Sequence, residues 1–587
     1  MKETLIILGA GVMQEPAIRI AKELGYFTVV LDGSKEAPCV SLADRFEQID
    51  LKDKEGIETF ARSLQNTSSR LGVMTAGTDF SASVAWTAEK LGLPGIPYEA
   101  ALNASDKGRM RECFRKTALP SPDFVTITAE DSLDIALPFP LVIKPVDNMG
   151  SRGCRRVDSA DELQEAAKTA IGFSRSGRAI VESYMDGPEF SVDAIFYHGE
   201  ITICGLADRH IFFPPYFIEM GHTMPTIIDV SKQEEMLETF RAGIRALGLA
   251  GVNQIGAAKG DIKLTTNGPD SKAMIGEIAA RLSGGYMSGW TYPYSSGAQP
   301  IRAAILAAMG KKPDGLIPVK TWTCAERAFI SIPGTVKSII GIERAQTLPH
   351  VNDLFLRIQE SSKVSFPENN VTKCGNIIAS ASDRQTAIDA AETAARSILI
   401  KLDPKDCETE KFLRNYLISK NSTTEHTEFH GEMETSFTKT PCNSVISVVN
   451  PIFKTPSQKT EEDFGLGTGE LLTSHFSFPP NAFQIFDEIK KALLELPEYS
   501  PTPYSPLPTP HIHPFPAFTS SDLRDYMGRT IQESLDAVRL LAGLSLPLAD
   551  DNAEKTGTVL GRSFWEALIR GGYQGAVYFI ERGMMAG

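Results

Sequence analysis

The chain has 587 residues, too many for one hydrophobic core, and a length of this size indicates about three or four domains. Hydrophobic residues make up 42% of the chain and charged residues 22%, which argues against a fibrous or wholly disordered protein. The formal net charge of −14 argues against nucleic acid or an anionic membrane as the main partner, because both require clustered positive charge.

The cysteines and the N-terminus bear on the cellular compartment. The eight cysteines contain no C-x-x-C pair, so neither a zinc ribbon nor a disulfide framework is predicted. The first apolar run is short and leads directly into a glycine turn, unlike a secretory signal. The sequence contains no run of ~18 apolar residues, so we predict no membrane span. We therefore expect reduced thiols and a cytoplasmic protein.

The first elements predict an open α/β sheet. A strand over residues 4–8, a glycine turn, a helix and a strand over 28–32 form a βαβ unit, and a second strand ends near Ala76. The turn resembles a dinucleotide fingerprint, but Gln14 stands where the third glycine belongs. Asp32 ends the second strand, either as a ribose-binding acid or as the cap of a loop.

The densest motifs lie between about Lys107 and Gln299, where the pattern predicts an α+β domain. The apolar strand at 141–143 leads into Lys144, and a glycine-rich loop follows at 147–153. A lysine on a strand supplies fixed positive charge for phosphate oxygens, and a glycine loop lets backbone N–H groups close over them. The segment predicts a phosphate clamp, whereas a surface hairpin would place polar residues before the lysine.

A strand over residues 180–185 is predicted to end in a short hinge. Backbone groups after such a strand can bond an adenine edge, and Glu189, seven residues after Glu182, lies within reach of ribose hydroxyls. Taken alone, Glu182 has an alternative reading as a solvated strand end.

A predicted hairpin joins residues 260–264 and 274–281 through the turn Thr266-Asn267-Gly268. Its strands carry Asp261 and Glu277, hard oxygen ligands of the kind that Mg²⁺ takes together with waters and substrate phosphates. Arg281 lies four residues beyond Glu277, where it can neutralise charge on a transferring phosphoryl group.

The remaining chain divides into a globular and an irregular part. Strands at 325–331, 336–342 and 376–380 and a helix at 387–398 predict a packed closing domain. Beyond Pro404, a Ser/Thr/Glu-rich segment and the proline-dense run at 500–516 predict a linker. A helix capped by Ser520 or Ser521 is predicted to follow it.

The order of these motifs resembles the ATP-grasp superfamily, particularly the carboxylate–amine ligases related to the large chain of carbamoyl-phosphate synthase and to the amino-acid ligases. The resemblance covers residues 1 to about 400. It rests on the N-terminal segments LGAGVMQEPAI and GTDFSASVAWTAEKLGLPG, SDKGRM at 105–110, PLVIKPVDNMGSRG, VESYMDGPEFSVD, GDIKLTTNG and IGEIAARLSGG.

The resemblance implies a mixed α/β and α+β fold with five segments. These are a Rossmann-like domain at 1–105, an ATP-grasp domain at 106–310 with a lid at about 120–185, and a closing domain at 311–403. A C-terminal extension would follow, irregular at 404–519 and helical at 520–587.

The resemblance also implies ATP and Mg²⁺, or alternatively Mn²⁺, as cofactors. It makes Lys144 and Arg281 catalytic and Asp261 and Glu277 metal ligands. Ala279 stands where many members have Asn, and Asp261 replaces a commoner Glu, which leaves the number of metal ions open. The implied ATP contacts are Lys107, Lys144, Gly150, Ser151, Gly153, Glu182, Tyr184, Met185 and Glu189.

The implied reaction phosphorylates a small carboxylate to an acyl phosphate, which an amine (or a thiol) attacks to give an amide (or thioester), ADP and phosphate. Candidate substrate contacts are Arg209, Glu219, His222, Ser283 and Gly284. The first three lie in a segment that alternatively forms a charged hairpin without substrate contact. Three aromatic residues are either a wall of the acceptor pocket or core: Trp290, Tyr292 and Tyr294.

Two other functions remain open at this point. One is an enzyme like carbamoyl-phosphate synthase or a carboxylase, making carboxy-phosphate from bicarbonate, although residues 401–587 lack the second motif set of a full synthase. The other is a non-catalytic ATP-binding assembly protein with a proline-rich docking tail. The expected partners are small carboxylates and amines, with neither nucleic acid nor membrane, and a homo-oligomer is left open.

Overall fold

The computed structural model describes residues 1–265, 271–413, 527, 529, 534 and 562–585. The chain divides into two compact units. The first comprises residues 1–331 and 341–398, and the second comprises residues 332–340 together with the described part of 399–587.

The first unit begins with a parallel sheet flanked by helices. Its strands are β1 (Lys2–Leu8), β2 (Phe27–Asp32), β3 (Arg45–Gln48) and β4 (Ser68–Met74), in the order β3-β2-β1-β4. Its helices are α1 (Glu15–Glu23), α2 (Lys54–Gln65), α3 (Ser81–Leu91) and α4 (Tyr98–Ser105). Leu5 and Ile7 pack into the core on one face and Ile6 and Leu8 into the core on the other. Two buried faces explain why β1 is continuously apolar.

The glycine turn after β1 is filled by a side chain of the protein itself. The backbone N–H of Gly11 donates to Oε1 of Gln14 (2.9 Å), and Nε2 of Gln14 donates to the carbonyl of Ala76. Asp32 accepts hydrogen bonds from the backbone N–H groups of Ala10 and Ser34, each 2.9 Å long. Both carboxylate oxygens of Asp32 are therefore used as a loop cap, the second of the two predicted readings.

A small antiparallel sheet follows. It contains β5 (Phe124–Thr128), β6 (Leu141–Pro145), β7 (Arg155–Val157) and β8 (Arg178–Ser183), in the order β5-β8-β6-β7. The helix α5 (Lys107–Lys116) precedes it, and α6 (Ala160–Phe173) packs on one face. Leu141 and Ile143 are buried in that core, so the alternating residues Val142 and Lys144 face the opposite side.

A large antiparallel sheet forms the centre of the first unit. Its strands are β9 (Glu189–Tyr197), β10 (Glu200–Phe212), β11 (Ile218–Met224), β12 (Ile255–Leu264), β13 (Ala273–Ala279), β14 (Thr323–Phe329), β16 (Val351–Leu356) and β18 (Gly375–Ala381). Their order is β13-β12-β9-β10-β11-β14-β18-β16. The other elements of this unit are α7 (Val230–Ala246), a π-helix (Met287–Thr291), α8 (Tyr292–Ser295), α9 (Pro300–Ala308), α10 (Ile342–Thr347), the short strand β17 (Lys363–Val364) and α11 (Arg384–Arg396).

The predicted mixed fold, with a parallel sheet first and antiparallel sheets after it, is confirmed. The hairpin predicted around Asp261 and Glu277 is β12 paired antiparallel with β13. Its predicted turn, Thr266 to Gly268, lies outside the described residues.

The second unit pairs β15 (Gly334–Ile340) with β19 (Leu399–Leu402) and adds α12 (Arg562–Met585), which is interrupted at Gly572 (φ 55°). Nε2 of Gln574 donates to the carbonyl of Ile400 (2.8 Å), which joins α12 to β19. The predicted linker at 500–516 and the cap at Ser520 or Ser521 lie outside the described residues, and the five segment boundaries stay predictions. Among the described helices, none has the length and apolar character that a bilayer crossing requires.

Phe240 gives a test of the large core. Its buried ring lies against Gly260 of β12, where a Cβ atom would come within 2.5 Å of it. We expect Phe240→Ala to lower the free energy of unfolding by about 3–5 kcal/mol, because a cavity replaces the ring. Ile227→Ala, at a position that is 74% exposed, should change it by less than ~0.5 kcal/mol. Equal values for the two variants, measured by denaturant unfolding, would contradict this packing.

Candidate active site

A cleft of about 360 Å³ lies between the small sheet and the large sheet. The predicted catalytic, metal, substrate and ATP residues all line it, with one exception. Gly153 (φ 68°) instead turns the loop against Phe173, whose ring would lie 2.9 Å from a Cβ at this glycine. Its requirement for glycine comes from loop conformation and close packing.

The cleft is electropositive although the chain is acidic. Its lining contains nine Lys or Arg residues against five Asp or Glu residues, an excess of four positive charges. The cations are Lys107, Lys144, Arg152, Arg209, Lys259, Lys263, Arg281, Arg357 and Lys373, and the acids are Glu182, Glu189, Glu219, Asp261 and Glu277. A concave site with this balance concentrates anionic ligands such as phosphates and carboxylates.

Lys144 is held by a buried ion-pair cluster. Its Nζ lies 2.7 Å from Oε2 of Glu182, while Oε1 of the same carboxylate lies 2.8 Å from Nε of Arg111. Burial raises the pKa of Glu182, but the charges of Arg111 and Lys144 outweigh it and lower the pKa to about 2. Both carboxylate oxygens of Glu182 are thus used within the protein.

The hinge after β8 rests on β12. Nζ of Lys263 donates to the carbonyl of Met185 (2.9 Å) and lies 3.1 Å from Oε1 of Glu189. Gly187 (φ 120°) approaches the carbonyl of Leu264 so closely that a Cβ would collide with it. The hinge backbone and the Glu189 carboxylate are therefore fixed relative to the strand that carries Asp261.

Lys107 connects the glycine loop to the metal-ligand candidates. Its Nζ donates to the carbonyl of Asn148 (2.9 Å) and lies 3.2 Å from Oε1 of Glu277. Burial lowers the pKa of Lys107, but the carboxylates of Glu277 and Asp79 outweigh it and raise the pKa. Lys107 is thus a fixed cation at the side of the cleft where the glycine loop closes.

Asp261 and Glu277 are direct partners in the register of β12 and β13. Asp261 accepts a hydrogen bond from Oγ of Ser191 (3.0 Å) and pairs with Lys259. Two facing carboxylates at an anion-binding cleft suit a divalent ion that takes further ligands from phosphate and water. Within the described ranges, no cluster of three His, Cys, Asp or Glu residues forms a closed metal cage. The donor set therefore fits an open site for a divalent ion, and Ala279 faces Lys259 across the same strand pair.

Arg209 is surrounded by acids. Its Nε lies 2.9 Å from Oε2 of Glu219, and its Nη1 lies 2.8 Å from Oε2 of Glu189 and 3.4 Å from Oδ2 of Asp261. Burial lowers the pKa of Arg209, but these three carboxylates outweigh it and raise the pKa. Because Nε and Nη1 already bond protein carboxylates, Arg209 does not offer a fully free guanidinium fork to a substrate.

His222 lies beside this cluster. Its Nε2 is 3.7 Å from Oε2 of Glu219, and its Nδ1 is 3.1 Å from Oε2 of Glu326. Burial raises the pKa of Glu219, but its interactions with His222, Arg209 and Lys373 outweigh burial and lower the pKa. The Glu219 carboxylate is therefore a fixed negative charge on the cleft wall.

Arg281 lines the cleft and carries one buried donor without a partner in the described part of the chain. Its Nη1 donates to the carbonyl of Leu282 (3.1 Å), while its buried Nε has no hydrogen-bond partner within the described part of the chain. The following turn is fixed because Ser283 donates from its backbone N–H to Oδ1 of Asp193 (3.0 Å) and from Oγ to Oδ2. A guanidinium among the lining residues fits a site for an anionic ligand.

The three aromatic candidates do not line the cleft. Tyr292 is fully buried, and its hydroxyl accepts from the backbone N–H of Asp193 (3.0 Å). Trp290 and Tyr294 pack against the cluster of Tyr286 and Phe355. The structure therefore agrees with the interpretation of these residues as core and not as a wall of the acceptor pocket.

Several cleft residues were not found from the sequence. Lys259 and Lys263 flank Asp261 at a spacing of two, which places all three on one face of a strand, so the alternation contained the signal. Arg357, Asn370 and Lys373 come from beyond residue 350, where no local pattern marks them.

Comparisons with known proteins find family matches in two parts of the chain. Residues 137–256 match the ATP-grasp domain model, and residues 328–403 match the model of the L-amino acid ligase C-terminal domain 2. Residues 137–256 therefore resemble an ATP-grasp domain. The resemblance drawn from the motifs is thereby confirmed.

Curated relatives cover only parts of the chain. Carnosine synthase 1 of Gallus gallus is 24% identical over 339 residues, covering 53% of this chain and 36% of that protein. D-alanine–D-alanine ligase of Pseudomonas fluorescens is 30% identical over 173 residues, covering 27% of this chain and 52% of that protein. The chain thus spans about half the length of the latter relative and about a third of the former.

A solved structure shows the same fold. The L-amino acid ligase from Bacillus licheniformis aligns with a TM-score of 0.61 at 21% identity, covering 68% of this chain and 99% of that one. The two chains therefore share their fold over about two thirds of this chain.

Asp193 gives a pH test of the turn after Arg281. Burial raises its pKa from 3.8 to about 6, against the hydrogen bonds of Ser283. The folded chain therefore favours the protonated acid, and this contribution to stability is lost as the pH rises from about 4 through 6. Asp193→Asn removes the charge, keeps an oxygen acceptor for the Ser283 N–H and can donate from Nδ2 to Oγ of Ser283. We expect its Tm, relative to the unmodified chain, to increase between pH 5 and pH 7.

The matched control is Asp134→Asn on an exposed loop, whose Tm difference should stay constant with pH. A constant difference for Asp193→Asn as well would show that Asp193 does not titrate in this range.

Proposed function

We propose that this protein is an ATP-dependent carboxylate–amine ligase. The observation that carries the proposal is one cleft in which Lys107, Lys144 and Arg281 lie around the facing carboxylates Asp261 and Glu277. This is the combination of fixed cations and hard oxygen ligands that phosphoryl transfer requires. Relatives named L-amino acid ligase, carnosine synthase and D-alanine–D-alanine ligase support the amide-forming half.

The role that we propose for each residue follows from its position in the cleft. Lys144 and Lys107 bind the phosphates beneath the backbone of Gly150 and Ser151. The backbone at Tyr184 and Met185 binds adenine, and Glu189 binds the ribose in place of one of its present partners. Arg281, whose guanidinium group lines the cleft, stabilises negative charge on the transferred phosphoryl group. Positioning and charge neutralisation carry the reaction, and no protein nucleophile is required.

Asp261 and Glu277 would hold a divalent metal ion, for which we propose Mg²⁺, with Mn²⁺ as a substitute. When bound, the ion would neutralise phosphate charge and orient the nucleotide. Lys259 pairs with Asp261 and faces Ala279 across the strands, so a protein cation lies beside the metal ligands. Arg209, Glu219, His222, Ser283 and Gly284 would border the carboxylate and amine substrates.

The cellular setting follows from the same reasoning. The described cysteines are free, as expected of a reducing compartment, and we infer a cytoplasmic enzyme that acts on small molecules. ADP and phosphate would be its products beside the amide.

The first experiment measures ADP and phosphate released from ATP with panels of amino acids and small carboxylates, each with and without an amine. The proposal expects release that requires a carboxylate, with an amide detected by mass spectrometry in amounts equal to ADP. Release stimulated by bicarbonate alone would favour a carboxylase-like enzyme. ATP binding without turnover on any panel would favour an assembly protein, and either result would overturn the proposal.

The second experiment tests the site itself. Lys144→Ala and Glu277→Ala should each lower kcat/KM for ATP by at least about 10²-fold, the scale of losing one preorganised charge. Glu277→Ala should also weaken Mn²⁺ binding, measured by electron paramagnetic resonance. Lys168→Ala removes a charge from the exposed face of α6 and should leave both quantities unchanged. Full activity in either site variant would contradict the assignment.

A further inference from the structure

A short turn late in the sequence of the first unit lines the cleft. We call residues 369–373 the Asn370 turn; it joins β17 to β18, and Asn370, Val371 and Lys373 line the cleft. Oδ1 of Asn369 accepts from the backbone N–H of Val371 (2.9 Å), which fixes the shape of the turn. The turn is therefore a preformed element of the cleft wall.

On one side, the Asn370 turn holds the glycine loop. The backbone N–H of Asn370 donates to the carbonyl of Gly150 (2.9 Å), and Nδ2 of Asn370 lies 3.3 Å from Oγ of Ser151. Gly150 (φ 69°) and Ser151 (φ 58°) are consecutive residues in the left-handed region, which is unfavourable for serine. Such a conformation persists where neighbouring groups fix it, and Asn370 supplies two of those contacts.

On the other side, the turn forms hydrogen bonds with both the backbone N–H and the backbone carbonyl of Glu219. The N–H of Glu219 donates to Oδ1 of Asn370 (2.7 Å), and its carbonyl accepts from Nζ of Lys373 (2.6 Å). The pairing of β11 with β14 begins only at Gly221, and the register of β10 with β11 shifts near the same point. The turn thus takes the place of a neighbouring strand at Glu219.

We propose that Asn370 is a positioning residue that links the glycine loop over the nucleotide phosphates to the strand segment carrying Glu219. Nδ2 of its side-chain amide contacts Oγ of Ser151, and Oδ1 accepts a hydrogen bond from the backbone N–H of Glu219. The proposal rests on the nucleotide site proposed above and adds a coupling to it. Closure of the glycine loop over ATP fixes Asn370, and Asn370 fixes Glu219.

The coupling matters because Glu219 is one member of the acid cluster around Arg209. Arg209 also bonds Glu189 and lies 3.4 Å from Asp261, so a shift of Glu219 disturbs the charges beside the metal ligands. Misplacement of such groups by about 1 Å can cost 10²-fold in rate. Closure of the glycine loop over a nucleotide would therefore further restrain the substrate side of the cleft.

Hydrogen–deuterium exchange of the full chain measures this coupling without knowledge of the carboxylate substrate. Exchange is followed in residues 148–153 and in residues 216–222, without nucleotide and with Mg²⁺ and AMP-PNP, a non-hydrolysable ATP analogue. In the unmodified chain, the nucleotide should slow exchange in both segments.

The test variant is Asn370→Ser, which suits a turn but is too short to span Ser151 and Glu219. Nucleotide should still slow exchange in residues 148–153, whereas its effect on 216–222 should disappear. Exchange of the Glu219 amide should become about five- to tenfold faster, the equivalent of one hydrogen bond. With a substrate pair in hand, kcat should fall about tenfold while KM for ATP changes less than about threefold. Asn370→Ala serves the same purpose if the serine variant does not fold.

Two further variants separate the contacts. Lys373→Met removes the bond to the Glu219 carbonyl but leaves the contacts with the glycine loop, so nucleotide should still slow exchange in 216–222. Glu368→Ala changes an exposed residue next to the turn and should match the unmodified chain.

The outcomes distinguish the two proposals. Slowing of both segments in the unmodified chain, with unchanged slowing in Asn370→Ser, would overturn the coupling and leave the nucleotide site intact. No effect of nucleotide on either segment of the unmodified chain would overturn the nucleotide site, and the coupling with it.

Discussion

The register of β12 between β9 and β13 is the constraint on which the cleft depends. In this register Asp261 faces Glu277 on one side and Ser191 on the other, and Lys259 and Lys263 share its face of the strand. Because side chains alternate along a strand, a shift of one residue would turn all of these charges into the core. The ring of Phe240 on Gly260 occupies the opposite face and opposes such a shift.

Buried charge is the second determinant of this site. Taking ions out of water is costly, and removing one partner leaves the other uncompensated. The charge of Glu182 is compensated by Arg111 and Lys144. The charge of Glu189 is compensated by Arg209 and Lys263. These clusters hold the cations rigid before a ligand arrives, so that little reorganisation is needed during the reaction.

The sequence predicted those parts of the site that are local in the chain. Lys144 follows an apolar strand, and Glu277 lies on a strand whose partner is the preceding one in sequence, so period-two patterns were sufficient. Arg111 was missed because its partner Glu182 is 71 residues away and nothing near either residue marks the contact. Asn370 was missed for the same reason, since it meets Ser151 across 219 residues.

The contacts of Arg209 and Tyr292 depend on residues that are distant in the sequence. Arg209 looked available to a substrate, but strand pairing places it opposite Glu189 and close to Glu219. Tyr292 looked able to line a pocket, but the π-helix before it turns its ring into the core. In each case three-dimensional neighbours, absent from the local pattern, decided what the side chain contacts.

The path of a carboxylate oxygen tests the central claim most directly. If the carboxylate attacks the γ-phosphorus of ATP and an amine then displaces phosphate from the acyl phosphate, one carboxylate oxygen ends in the released phosphate. With a substrate labelled with oxygen-18 in its carboxylate, the account predicts phosphate that contains one labelled oxygen atom, together with unlabelled ADP. Unlabelled phosphate, or the label in AMP, would contradict it.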